Sequence, residues 1–277
     1  MTRENRPLAL ITGASSGIGL ELAKCFADEG YDLIIVAEDQ AGLEAAGSAI
    51  RSAASVDVHA ITADLRDDDA PRRVHERVTA LGRPLDVLVN NAGVGVYGDF
   101  TRETPLDAEL EMIRLNVVAP VQLTKLFAPS MAARGEGKIL ITASVASITP
   151  TPLLTVYGAT KAFLYEFSEG LREELRDRGV TVTALMPGPT DTNFFARAHA
   201  EDSKIVDEKL ADPADVARAG FDALMKGADK VVTPLKYKVQ TKINQVIPDP
   251  IVAKQAHKKH ERKSDSEQSI EARDEQR

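Results

Sequence analysis

The sequence predicts an α/β fold, a doubly wound parallel sheet of about seven strands flanked by helices. Three observations carry that prediction. Over the first 190 residues, short runs rich in apolar and β-branched residues alternate with stretches of helical period. The short runs are largely apolar rather than alternating, the pattern of strands covered on both faces. Strand–helix–strand repetition then demands parallel pairing through right-handed crossovers.

The elements follow in order. Strands are expected at Leu8–Thr12, Asp32–Ala37, Val56–Ala63, Asp86–Asn90, Lys138–Ala143 and Thr181–Met186. Helices are expected between them, over 17–29, 40–54, 68–81, 105–134 and 155–178. A further helix opens at Asp212-Pro213, with Asp212 as N-cap and Pro213 as first helical residue, and leads to a seventh strand at Lys230–Pro234. Residues 188–211 have no clean period and follow a strand end, the place of a loop over a substrate. Residues 254–277 mix seven Lys/Arg with six Asp/Glu and have little to bury, so a flexible charged tail is expected. The division is one domain over 1–253 and that tail.

Composition narrows the function. Among 277 residues, 34 Lys and Arg face 42 Asp and Glu, and a net charge of −8 disfavours a nucleic-acid surface. Cys25 is the single cysteine, so it forms no disulfide within the chain and no Cys-rich metal site. The five histidines lack metal-ligand spacing, and no metal is expected. No apolar run approaches the ~18 residues that span a bilayer. The polar start Met1–Pro7, followed by the short run Leu8–Ile11, lacks the apolar stretch of a signal peptide. These features predict a soluble, cytoplasmic protein.

The first strand runs straight into Thr12-Gly13-Ala14-Ser15-Ser16-Gly17-Ile18-Gly19 and then a helix. Glycines allow a tight turn and close approach to a ligand, and the helix start offers free N–H groups and a positive dipole end. Together they suit a pyrophosphate, which makes the fold Rossmann-like; a purely structural turn is the alternative. The same residues also read Gly-x-Ser-x-Gly, the nucleophile elbow of a serine hydrolase using Ser15. That reading needs a downstream histidine, and His199 is the only one in a plausible loop. Glu38 lies 19 residues after Gly19, near the spacing expected of an acid that binds the adenosine ribose, while Asp39 can cap the next helix. Asp64-Leu65 ends the third strand, where the aspartate can meet an adenine amino group.

Candidate catalytic residues gather at later strand ends. The fourth strand closes on Asn90-Asn91-Ala92-Gly93 and the fifth on Ala143-Ser144. Thirteen residues after Ser144 comes Tyr157-Gly158-Ala159-Thr160-Lys161. Tyr157 and Lys161, at i and i+4, share one helix face. An ammonium one turn away should lower the phenol's ordinary pKa of about 10 and fit it for acid–base work on a carbonyl or alcohol.

The glycine turn, Asn-Asn-Ala-Gly, the serine and Tyr-x-x-x-Lys, taken in this order, resemble the short-chain dehydrogenase/reductase superfamily over about residues 7–235. The resemblance implies a nicotinamide-dependent oxidoreductase that moves a hydride between cofactor and a carbonyl/alcohol substrate. By it, Tyr157 is the acid/base, Lys161 binds the nicotinamide ribose and depresses the Tyr157 pKa, and Ser144 binds the substrate oxygen. Asn116 matches the fourth catalytic residue. Asn91, Ala92 and Gly93 back the cofactor, and Pro187, Gly188, Thr190 and Thr192 match the loop that holds the nicotinamide carboxamide. Pro120 deprives the Asn116 carbonyl of its i+4 donor, which predicts a helix kink there.

Where many relatives carry basic residues that bind a 2′-phosphate, this chain has Glu38-Asp39, so NAD(H) is expected over NADP(H). Val94, Val96, Tyr97, Val145, Ile148, Phe194 and Phe195 flank the expected substrate pocket with Ser144; they are mostly apolar, so a hydrophobic carbonyl compound is expected. Relatives of this kind form homodimers or homotetramers, and the helix of Tyr157 carries an apolar stripe, Phe163, Phe167, Leu171 and Leu175, divided between core and such an interface. A non-catalytic dinucleotide-binding redox sensor is the alternative from another class, and the full set Asn116, Ser144, Tyr157 and Lys161 argues against it.

Overall fold

The computed structural model describes residues 6–235, 237 and 249–263. Seven parallel strands form one sheet: β1 Leu8–Thr12, β2 Asp32–Ala37, β3 Val58–Thr62, β4 Val87–Asn90, β5 Gly137–Thr142, β6 Val180–Pro187 and β7 Lys230–Thr233. Their spatial order is β3-β2-β1-β4-β5-β6-β7. The order reverses between β1 and β4, and crevices at the carboxyl ends beside such a reversal bind ligands.

Alternation along the inner strands divides the core into two layers. Leu8 and Leu10 of β1 join Ile34 and Val36 of β2 on one face. Their neighbours Ala9, Ile11, Leu33 and Ile35 face the other way. Helices α1 (Gly17–Asp28), α2 (Gln40–Ala53) and α8 (Pro213–Met225) cover the second layer with Leu22, Leu43 and Phe221. Helices α3 (Ala70–Thr79), α5 (Ala119–Arg134) and α6 (Thr155–Leu175) cover the first with Val74, Phe127 and Leu164. Cys25 is buried in the second layer as a small core residue. Asp212 caps α8, its carboxylate accepting the Ala214 N–H at 2.8 Å.

Several boundaries differ from expectation. The third strand is two residues shorter at its start and one at its end, and it is not apolar on both faces: His59, Ala60 and Thr62 are exposed because β3 is an edge strand. The helix expected over 105–134 divides into α4 (Leu106–Ile113), a π-turn (Arg114–Val118) and α5. In the π-turn the Ala119 N–H reaches back five residues to the Arg114 carbonyl, just before Pro120, which has no N–H to donate. Helix α6 ends at Leu175 and passes through a 3₁₀ turn, Arg176–Arg178, to Gly179.

The substrate loop carries a short helix, α7 (Phe194–Arg197), and a 3₁₀ turn, Lys204–Asp207. The boundary drawn at residue 253 falls inside a helix, α9 (Asp249–His260). Val252 and His260 are buried, so the start of the expected tail is docked on the domain. Charge counting missed this because one side of a short basic helix is enough to dock it. The remainder of the expected tail, 264–277, lies outside the described residues.

Candidate functional site

The carboxyl ends of the strands open into a cleft of about 320 Å³. One end is built from the glycine turn. Gly13 has φ +68°, and a Cβ on Gly19 would strike the Gly13 carbonyl, so the turn closes only on glycine. Thr12 ties it to the central strand: its Oγ1 accepts the Asn91 and Ala92 N–H groups at 2.9 and 3.0 Å. The Asn91 amide donates to the Thr12 carbonyl at 3.0 Å, and Thr142 donates to the Asn91 side-chain oxygen at 3.2 Å. Thr12 opens the motif but was not marked as a site residue.

Gly13, Ser15, Ser16, Gly17, Ile18 and Gly19 all line the cleft. So do Glu38, Asp64 and Leu65 at the ends of β2 and β3. Arg66 holds these acids together: its guanidinium contacts Glu38 at 2.5 Å, Asp64 at 2.8 Å and Glu111 at 3.5 Å. Its hydrogen bond holds the Asp64 carboxyl below the usual range. One cation against three carboxylates leaves this end negative.

At the other end stand Ser144, Tyr157 and Lys161. Ser144 caps a 3₁₀ turn, Val145–Ile148: its Oγ accepts the Ala146 N–H at 3.1 Å, and Ser147 Oγ accepts the Ser144 N–H at 3.2 Å. Ser147 in turn donates to the Lys161 carbonyl at 2.8 Å, which joins that turn to α6. Lys161 is buried, donates to the Thr142 carbonyl at 2.9 Å, and holds Nζ 5.8 Å from the Tyr157 ring centroid.

The expected electrostatics of this pair are reversed in the protein alone. Burial pushes the Tyr157 phenol up to about 12, against the opposing hydrogen bond from Ser144. Burial also pushes the Lys161 ammonium down to about 8. Desolvation outweighs the attraction across one helix turn, because Lys161 is buried and Tyr157 packs against Leu154 and Phe194.

Asn116 is fully buried and does not line the cleft. It sits one layer behind, in the π-turn, where its amide donates to the Val94 carbonyl at 2.9 Å and to Thr160 at 3.1 Å. Its Oδ1 accepts the Val94 N–H at 3.0 Å. Asn116 thereby links the chain after β4 to α6, beside Lys161.

Ala92, Gly93, Pro187, Gly188, Thr190, Thr192, Val145 and Phe194 line the cleft as expected. Val94 and Phe195 line it as well, whereas Val96, Tyr97 and Ile148 do not. The Phe194 ring closes on Gly95, where a Cβ would meet its Cζ at 2.7 Å, and Tyr97, two residues along, is buried with Leu154 and Phe195. His199, which a Ser15 hydrolase would need, is exposed and absent from the lining, so the hydrolase reading loses its base. The motifs did not mark Glu208, Tyr237 or the α9 residues Val252, Gln255, Ala256 and Lys259, which complete the cleft. The only sequence signal for α9 is Val252 and Ala256 at helical spacing in a polar stretch.

The profile of the family described as short chain dehydrogenase matches residues 7–203. A very-long-chain 3-oxoacyl-CoA reductase from Danio rerio is 35% identical over 182 residues, 65% of this chain and 58% of that protein. A ketoacyl reductase from Nostoc sp. is 31% identical over 236 residues, covering 84% of this chain and 80% of its own. Thus the chain spans less than two thirds of the first relative's length and most of the second's. Among solved structures, a short-chain dehydrogenase from Sphingobium yanoikuyae in complex with NADPH superposes with a TM-score of 0.78 at 32% identity, over 86% of this chain and 93% of its own.

Proposed function

Because the chain belongs to the short chain dehydrogenase family, we propose that it is a nicotinamide-dependent oxidoreductase acting on a carbonyl/alcohol pair, with Tyr157 as its proton donor and acceptor. The observation that carries the reading is the meeting of Ser144, Tyr157 and Lys161 in one cleft with the glycine turn. The donor set fits a dinucleotide. The turn leaves a cradle that side chains would fill, the start of α1 presents N–H groups to a pyrophosphate, and acids stand where a ribose needs acceptors.

When bound, the nicotinamide supplies or accepts the hydride. The chain's own residues do the rest. Ser144 donates a hydrogen bond to the substrate oxygen, and Tyr157 passes it a proton. With its phenol pushed up to about 12, Tyr157 is protonated near neutrality, which favours carbonyl reduction. Lys161 holds the nicotinamide ribose, and Asn116 positions Val94 and α6 behind it. Gly13, Ser15, Ser16, Gly17, Ile18 and Gly19 hold the pyrophosphate side. Glu38 takes the adenosine ribose, with Asp64 and Leu65 at the adenine. Asn91, Ala92 and Gly93 back the cofactor, and Pro187, Gly188, Thr190 and Thr192 hold the carboxamide.

The reading prefers NAD(H). A 2′-phosphate would stand beside Glu38, and Arg66, its nearest cation, already answers three carboxylates. The NADPH of the Sphingobium structure speaks for the other cofactor in that protein. A second copy of the chain fits the exposed apolar residues Leu106, Leu110 and Phe163 on α4 and α6, which supports a homodimer or a homotetramer. A cytoplasmic setting belongs to the same reading, supported by the nicotinamide requirement. Among the described residues, no helix is long and apolar enough to cross a membrane.

The test is oxidation of NADH by the purified chain against a panel of ketones and aldehydes, repeated with NADPH. Carbonyl-dependent turnover, faster with NADH, is expected. Nucleotide binding without turnover of any carbonyl compound or alcohol would favour the redox-sensor alternative.

A further inference from the structure

The substrate end of the cleft is closed by chain whose composition reads as a tail. Helix α9 contributes Val252, Gln255, Ala256, Lys259 and His260 to the lining. Main-chain bonds lock the residues after it to the substrate loop: the Lys204 N–H donates to the Glu261 carbonyl and the Lys263 N–H to the Asp202 carbonyl, both at 3.1 Å. Ion pairs Lys204–Glu261 at 3.1 Å and Lys263–Asp207 at 2.6 Å reinforce them. His260 fixes the helix end. Its Nδ1 lies 2.8 Å from the Pro152 carbonyl, and its own carbonyl accepts the hydroxyls of Tyr97 and Ser203. This wall is therefore a fixed part of the domain.

Its charges are unequal. Lys259 Nζ lies 3.0 Å from one Glu208 oxygen, and the other Glu208 oxygen accepts the Tyr237 hydroxyl at 3.0 Å. Glu208 thus keeps a donor if Lys259 turns toward a ligand. Arg197 of α7 also lines the cleft and makes no ion pair among the described residues. Burial lowers the His260 pKa, so its ring adds no charge near neutrality. Among the described residues, two cations against one carboxylate line this part of the cleft, in a chain of net charge −8. Leu154, Phe194, Phe195 and Ile205 also line the cleft, and they form one apolar cluster with Tyr157.

We propose that the cleft takes carbonyl compounds with an apolar body and an anionic end, and that Lys259, together with Arg197, receives that end. The inference rests on the oxidoreductase reading and adds the class of substrate. The apolar side chains hold the body while its carbonyl meets Tyr157 and Ser144. The anionic end stays at the rim, where it finds donors without being fully desolvated.

The experiment uses the full chain and two ketones of equal length, one ending in a methyl group and one in a carboxylate. The wild-type kcat/KM for the oxo acid should exceed that for the neutral ketone by about tenfold, the scale of one charge-assisted hydrogen bond, with the gain in KM. That ratio should fall toward one in Lys259→Met and persist in Lys259→Arg. A wild-type ratio of one or below, or a ratio that survives in Lys259→Met combined with Arg197→Met, overturns the inference. If neither ketone is reduced while uncharged aldehydes are, the inference falls and the oxidoreductase reading stands. If no carbonyl compound is reduced at all, both fall.

Discussion

The two ends of the cleft are built in opposite ways. The nucleotide end is made of backbone: a turn that only glycine can close, strand ends, and the first N–H groups of α1. The substrate end is made of side chains brought from far apart in sequence, with Tyr97, Pro152, Ser203 and His260 meeting through hydrogen bonds. The glycine turn itself is dictated locally, by positions where a side chain would collide. The substrate end is a matter of long-range packing, where many residue types would serve.

The largest effect should come from the end made of backbone. Gly19→Val places a branched side chain against the Gly13 carbonyl and the Asn91 amide. Loss of measurable dinucleotide binding by titration calorimetry is expected, with turnover lost alongside it. Binding close to that of wild type would mean that the turn is not the pyrophosphate cradle.

His260→Ala strikes the opposite end. It leaves the Pro152 carbonyl without its partner and opens a gap at the end of α9. A stability loss of about 1–3 kcal/mol is expected in urea unfolding. The substrate KM should rise while dinucleotide affinity stays within about twofold of wild type, a difference under ~0.5 kcal/mol. Equal damage to both affinities would show the two ends to be one coupled unit.

Glu38→Gln sharpens the reading of the adenosine pocket. A unit charge pair at ~4 Å with an effective dielectric near 20 interacts by about 4 kcal/mol, and solvent exposure here discounts most of that. A shift of about tenfold in the NADPH/NADH ratio of kcat/KM is therefore expected. An unchanged ratio would show Glu38 turned away from the ribose, with Arg66 free to hold a phosphate.

A pH dependence of stability is expected from Lys161. Its folded pKa is pushed down to about 8, below the ordinary ~10.4 of an unfolded lysine. Between those values the unfolded chain binds more protons, so this group's contribution to stability rises with pH. The stability of the wild type relative to Lys161→Met should therefore improve as cofactor-free samples are taken from pH 7 to 10. A gap that moves the other way would mean that the ammonium is stabilised in place, against the burial argument.

Much of this was legible in the sequence, for reasons particular residues show. Apolar runs such as Leu8–Thr12 and Asp32–Ala37 marked inner strands to the residue, because both faces of those strands are covered. The edge strand β3 was read too long, since three of its five residues are exposed. The glycine turn and Tyr157-x-x-x-Lys161 stood out because backbone geometry and helix pitch fix their spacing. The reversed pKa directions of Tyr157 and Lys161 were not legible, because burial is a property of everything packed around them. Nor was the role of α9: its lysines and histidines read as a solvated surface, and only the partners Glu208, Pro152 and Tyr97, far off in sequence, turn it into a wall. Nor could the stretch 94–97 be resolved residue by residue: Val94 lines the cleft, Val96 does not, and Tyr97 is buried against Leu154 and Phe195.

The central claim is that Tyr157 moves the proton. Its most direct test is single-turnover reduction of a ketone by Tyr157→Phe saturated with NADH, compared with wild type. Phenylalanine keeps the ring and its packing 5.1 Å from Phe194 while deleting the hydroxyl. The account predicts a rate lower by about 10²–10⁴, with NADH affinity little changed. A rate near that of the wild type would contradict it and move the proton donor elsewhere in the cleft.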